Sequence, residues 1–207
     1  PIIARPELFN YFVSPISYFP IFLFLIASFF SFVQYFSPGQ PALMRHLFEW
    51  MLLFMFFVIP ILCMGSLSQE WASGPIATLM NAPVSDAEVV VGKFIGSLGF
   101  VLVLLAPTLL YVLLLKLYST SLDLGPVFSG YIGMIFAGAL FVSVSLFCSS
   151  LTRSQVVAAV SAFAILALMT IIPWLISAWT VLPEFWRKVV NQGVYARYTD
   201  FSKGVLD

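Results

Sequence analysis

Long apolar runs, separated by short polar or Pro/Gly-rich intervals, set the pattern of this chain. No charged residue falls between Glu7 and Arg45, Glu49 and Glu70, Lys93 and Lys116, Asp123 and Arg153, or Arg153 and Glu184. A hydrocarbon core of about 30 Å needs about 20 apolar residues rising about 1.5 Å each, and every one of these gaps is long enough. Five membrane-spanning helices are therefore predicted, near 17–36, 48–67, 93–115, 130–149 and 156–178. In the first, Phe19, Ile21 to Ile26, Phe29, Phe30, Phe32 and Val33 favour insertion by about 5 kcal/mol in sum, before Pro and Ser offsets.

Composition turns this pattern into a class. The 207 residues are 61% hydrophobic and 9% charged, whereas charged residues make up about a quarter of a soluble domain. The chain reads as an all-α polytopic membrane protein forming one transmembrane domain over 1–207. Nine Lys+Arg balance nine Asp+Glu, which excludes a basic nucleic-acid binder and an acidic solvated tail. The first apolar run is too long for a cleaved signal peptide and lacks a basic leader and cleavage site, so it is expected to stay. Pro1 cannot initiate translation, and a trimmed product is expected. Arg5, Arg153 and Lys93 mark one side; Arg45, Lys116 and the tail's Arg187, Lys188, Arg197 and Lys203 mark the other. A long terminal segment weighs little in the positive-inside rule, so charge alone leaves sidedness open.

The polar connection between the second and third spans is the most informative stretch. Gly74 and Pro75 break a helix arriving from the second span, and Pro75 suits the first position of a short helix through Met80, ended by Pro83. Ser85 and Glu88 have the spacing of a capping box, and Val84 and Val89 that of a hydrophobic staple. Asp86 and Glu88 complement the new helix dipole, so the third span starts outside the membrane and enters near Lys93. A short helix between Pro and Gly hinges reads either as a lever that transmits force or as a plain interfacial connector.

Candidate chemistry is sparse. Cys63 and Cys148 have no CxxC spacing and read as small buried residues. His46, the single histidine, follows Pro38, Gly39 and Pro41 and reads as a solvated loop residue, with no metal or catalytic partner. Gly92 and Lys93 are adjacent but Ala87 occupies the first glycine position of a phosphate-binding loop, so the chain is expected to bind no ATP itself. The span centres hold no Asp, Glu, Lys, Arg or His, which disfavours an ion-coupled carrier; Glu49 beside Trp50 reads as an interfacial anchor. Gly92 with Gly96, Gly133 with Ala137 and Ala158 with Ala162 are small-residue pairs that allow close helix approach. Pro20, Pro60, Pro107 and Pro173 lie in or near spans, as hinges or as static bends. In the tail over 179–207, Leu182, Phe185, Trp186, Val189 and Val190 form one apolar helical face opposite Arg187, Lys188 and Asn191.

Taken together, several segments look like a known family. Glu70, Ser73, Gly74, Leu79, Pro83, Val84, Ser85, Glu88, Val89, Gly92 and Lys93 resemble the loop motif of type 2 ABC transporter permeases, in particular the gliding-motility and copper-reductase-maturation branch. Arg5, Glu7, Leu8, Tyr11, Phe12, Ser14, Pro15, Ile16 and Tyr18 are similar to that branch's amphipathic elbow helix (1–15) leading to a Ser-Pro start of the first span. Ser149 to Gln155, with Ala158 and Ala159, looks like its turn between the fourth and fifth spans.

The resemblance implies that 68–85 is a cytoplasmic coupling helix docking on a separate ATPase through Glu70, Trp71, Ser73, Gly74, Pro75, Ile76, Leu79, Met80, Pro83 and Ser85, with Arg153 a second cytoplasmic contact. Trp71 and Pro75 stand where the family often has a basic residue and a Thr, implying docking by packing. It also implies a sixth span after Asp207, preceded by the segment Tyr198 to Asp207, and an extracytoplasmic gate helix carrying Phe185, Trp186 and Val189. The implied protein sits in the bacterial inner membrane with a cytoplasmic N-terminus and pairs with a second permease protomer, identical or different. It has no catalytic residue, metal or cofactor of its own; ATP and magnesium belong to the partner ATPase. The function expected is ATP-driven export, the alternative being an assembly or mechanotransmission subunit that passes motion to a periplasmic protein.

Overall fold

The computed structural model describes residues 15–35, 44–68, 86–118 and 124–177, and the elements among them are helical. In chain order they are α1 (Pro15–Tyr35), α2 (Arg45–Cys63), α3 (Asp86–Leu105), a 3-10 turn (Ala106–Thr108), α4 (Leu109–Tyr118), α5 (Leu124–Leu151) and α6 (Gln155–Ser177). Three segments are long and apolar enough to cross a membrane: His46–Cys63, Ala87–Tyr118 and Leu124–Leu151. Tyr18–Gln34 and Gln155–Thr170 are shorter apolar helical segments. The 28 residues of α5 rise about 42 Å, more than the roughly 30 Å of a hydrocarbon core.

The centre of the bundle is α2 and α5. Helix α2 packs on α1, α5 and α6, while α5 packs on α2, α3 and α6. Phe48, Met51, Met55 and Ile59 of α2 meet Met134, Phe141 and Val142 of α5 in a core that also takes in Phe24 of α1 and Leu166 of α6. Since lipid is as apolar as Leu, this interior gains from close packing, not from the water exclusion that drives a soluble core. Small residues permit that packing. Gly92, Gly96, Gly133, Ala137, Ala158 and Ala162 are all buried, as the small-residue spacing predicts. The closest approaches are elsewhere on α5. A Cβ at Gly130 would lie within 2.9 Å of three Phe48 ring atoms, and one at Gly138 would lie 2.8 Å from Val101 Cγ1 and 2.9 Å from Met55 Cε. Phe19, Phe22, Phe30, Phe128, Phe136 and Phe147 point outward, the arrangement expected where the surrounding solvent is hydrocarbon.

One expectation changes. His46 stands in the first turn of α2, not in a loop, with Nδ1 3.6 Å from Glu49 Oε2 one turn on. Residues three apart on a helix face each other, which places these two side chains together at the helix start. In the third span, where Pro107 reads as a hinge or a static bend, the α-helix is interrupted at Ala106–Thr108. The elbow over 1–14, the loop over 69–85 and the tail over 178–207 lie outside the described residues.

Candidate functional site

Where α2 ends and the loop to α3 departs, one face of the bundle is closed by a hydrogen-bonded clasp. Helix α2 stops at Cys63 and the chain turns through Met64, Gly65, Ser66 and Leu67 to Ser68. Such a helix end leaves backbone groups without intrahelical partners, and here α5 supplies them. Ser149 Oγ accepts from the amides of Leu67 at 3.2 Å and Ser68 at 3.1 Å, and donates to the Met64 carbonyl at 3.0 Å. One donor and two acceptor positions exhaust what a hydroxyl offers. Ser149 is fully buried, so no solvent competes for them. The Met64 carbonyl uses its second lone pair for the Ser68 hydroxyl at 2.5 Å.

The other stem of the loop joins the same knot. Lys93, two turns into α3, donates from Nζ to the Ser66 carbonyl at 2.8 Å. Only 3% of Lys93 is exposed, so its ammonium is turned into the bundle instead of snorkelling to the surface as membrane-boundary lysines usually do. Burying an ionisable side chain at the end of the bundle carries a desolvation cost that its hydrogen bonds must offset. Ser66 Oγ, on the same residue as the carbonyl that Lys93 bonds, is buried with no hydrogen-bond partner, which leaves the polar satisfaction of this turn incomplete. The ends of the loop at 69–85 are therefore tied to each other and to the end of α5.

The sequence-derived residues divide as follows. Glu70, Trp71, Ser73, Gly74, Pro75, Ile76, Leu79, Met80, Pro83 and Ser85 lie outside the described residues, as do Phe185, Trp186 and Val189. Helix α3 is described from Asp86, and the Ser85 end of the Ser85–Glu88 spacing lies outside the described residues. Arg153 is described: it is exposed in the short turn Thr152–Ser154, whose Ser154 amide bonds Thr152 Oγ1 at 3.1 Å. Because Ser149 meets the turn at 64–68, Arg153 lies at the same end of the bundle as the loop stems. Cys63 and Cys148 are buried free thiols flanking the clasp in sequence, and no group of metal-ligating side chains occurs among the described residues.

Lys93 entered the sequence reading as the point where the third span meets the membrane and Ser149 through the family resemblance, and their contacts to the turn at 64–68 escaped it. Ser149 and its partners are separated by 81 to 85 residues, and Lys93 and Ser66 by 27. The available signal was a lysine and a serine inside otherwise apolar helices.

A family model described as ABC-2 family transporter protein matches residues 16–199, nearly the whole chain. The chain belongs to the ABC-2 transporter family. No curated protein and no solved structure matches it. This ABC-2 protein is a multi-pass membrane permease component of an ABC transporter, and its family associates with an ABC ATPase. The match spans α2, the clasp and the stems of the loop.

Proposed function

We propose that this chain is the membrane-spanning subunit of an ATP-driven exporter, in which a separate cytoplasmic ATPase grips the loop at 68–85 and drives the bundle. The observation that carries this reading is the clasp. A loop that merely joined two helices would need no buried lysine and no fully used buried serine at its stems. A loop that receives force needs stems that move the bundle with them. Here a push on the loop reaches α2 and α3 through its stems and α5 through Ser149. Since α5 packs on α6 as well, the displacement spreads through the bundle centre.

In this reading Glu70, Trp71 and the segment through Ser85 contact the ATPase, with ATP and magnesium held there, and Arg153 adds a second contact. The loop side and the N-terminus are cytoplasmic, five spans cross a bacterial inner membrane, and two protomers form the path. The likeness to the gliding-motility and copper-reductase-maturation branch supports that arrangement. The test is co-purification of the full-length protein with its ATPase from the native membrane, followed by ATPase assay. Glu70→Ala and Pro83→Ala are expected to weaken assembly or to abolish the permease's effect on hydrolysis. Full assembly with an unaltered effect in both variants rejects the coupling assignment.

A further inference from the structure

The third span is built as two rods with a joint, and the two rods are held differently. Pro107 has no amide to give to the Val103 carbonyl, and the Leu109 amide donates to Ala106 O, one residue short of the α-helical partner Leu105. Thr108 makes good the loss: its hydroxyl donates to Leu105 O at 2.7 Å. That assignment fixes the rest of the cluster. With its proton committed, Thr108 Oγ1 accepts from Tyr131 Oη of α5 at 3.0 Å. Ser28 of α1 likewise donates to Leu25 O at 3.0 Å, so Tyr111 Oη is the donor in the 3.2 Å bond between them.

The inner rod, α3, packs along α5 and presents Val101 and Leu104 to the core. The outer rod, α4, buries only Tyr111 and Leu115. Leu109, Leu110, Leu113, Leu114, Leu117 and Tyr118 all face outward. Tyr111 is stacked on Phe32 with ring centroids 4.8 Å apart and 15° between planes. A short rod beyond a joint that lacks regular helical bonds, burying two side chains and packing Val112 partly against the core, moves most easily by swinging about the joint. In hydrocarbon that motion exposes no new backbone to lipid, because the Thr108 hydroxyl travels with the joint and keeps Leu105 O paired.

We propose that α4 is a mobile outer arm hinged at Ala106–Thr108, and that the Tyr111–Ser28 hydrogen bond is the latch that holds it against α1. The arm and latch stand on the geometry of α1, α4 and the joint, independently of how the loop at 68–85 is used. Helix α1 is the receiving surface, and the stacked Phe32 guides Tyr111 back into register.

Tyr111→Phe isolates the latch, since it keeps the stack on Phe32 and leaves Ser28 bonded to Leu25 O. Pro107→Ala acts oppositely, restoring an amide donor and stiffening the joint. The experiment measures spin-label distances in the full chain in lipid nanodiscs, with Cys63 and Cys148 replaced by Ala. Labels go on exposed Val33 and Leu117 at the outer end; a control pair on exposed Val91 and Val156 reports the inner end. Tyr111→Phe is expected to raise the longer-distance population of the outer pair about threefold, the shift that one interhelical hydrogen bond in a membrane protein supplies on average. Pro107→Ala is expected to lower it, and the inner pair is expected to stay unchanged in both. An outer-pair distribution insensitive to Tyr111→Phe, or an equal broadening of the inner pair, overturns the proposal.

Discussion

Replacing Ser149 by alanine removes a single oxygen and three hydrogen bonds. The amides of Leu67 and Ser68 lose their acceptor, and the Met64 carbonyl loses one of its two donors, the Ser68 hydroxyl remaining. An orphaned buried amide costs about 1–3 kcal/mol, but bonds between membrane helices average nearer 0.6 kcal/mol because the alternatives are better there. The clasp lies at the end of the bundle, so about 1 kcal/mol for each amide is the appropriate scale. The carbonyl, still bonded once, adds little. A total of about 2 kcal/mol corresponds to roughly 30-fold in the opening equilibrium of the turn. Hydrogen exchange of the full-length protein in nanodiscs reads this directly. The Leu67 and Ser68 amides are expected to exchange about 30-fold faster in Ser149→Ala, while amides around Val142 in the middle of α5 keep their protection. Unchanged exchange at 67 and 68 would refute the reasoning, because the turn would then be held by something other than Ser149. A rise of equal size around Val142 would refute it differently, by showing that the serine supports the whole helix.

Three further outcomes follow from the packing. Lys93→Met removes a buried donor and leaves the Ser66 carbonyl without it, and is expected to cost about 1–3 kcal/mol, whereas Lys93→Glu sets a carboxylate against that carbonyl and is expected to cost about 3–5 kcal/mol; equal losses of Tm would contradict this. Gly138→Ala is expected to destabilise by about 1–3 kcal/mol through its clash with Val101, since the Met55 methyl can move aside and the branched Val101 cannot; adding Val101→Ala should recover much of the loss in denaturation assays. Cys63 and Cys148, 2% and 1% exposed, are expected to resist maleimide until the protein is denatured, and mass spectrometry of the labelled chain checks it.

Some residues carry their role in their neighbours along the chain, and those were legible. The run Ile21 to Ile26 implies a helix in lipid whatever lies beside it, and α1 covers it. The Ala158–Ala162 and Gly133–Ala137 pairs mark helix-facing positions, and each is buried. His46 was misplaced because Pro38, Gly39 and Pro41 are strong loop signals that ended earlier than their spacing suggested; α2 begins at Arg45. Gly130 and Gly138 were overlooked because what makes a glycine indispensable is the ring or methyl that fills the missing Cβ's place, and Phe48 and Met55 come from another helix.

From its order of apolar runs alone the chain determined a helical membrane protein, the approximate reach of its helices and the place of its longest polar connection. These are local consequences of moving residues from water into hydrocarbon, where each segment must satisfy its own backbone. The tertiary structure decided which few polar side chains inside those helices meet. Serine, threonine and tyrosine hydroxyls look alike along a sequence, and only the packing of α5 on α2, and of α4 on α1, turned Ser149 into an anchor for the loop stem and Tyr111 into a tie between helices. Hydrogen bonds act over about 3 Å, so their pairing is set by how helices are placed in space and not by distance along the chain.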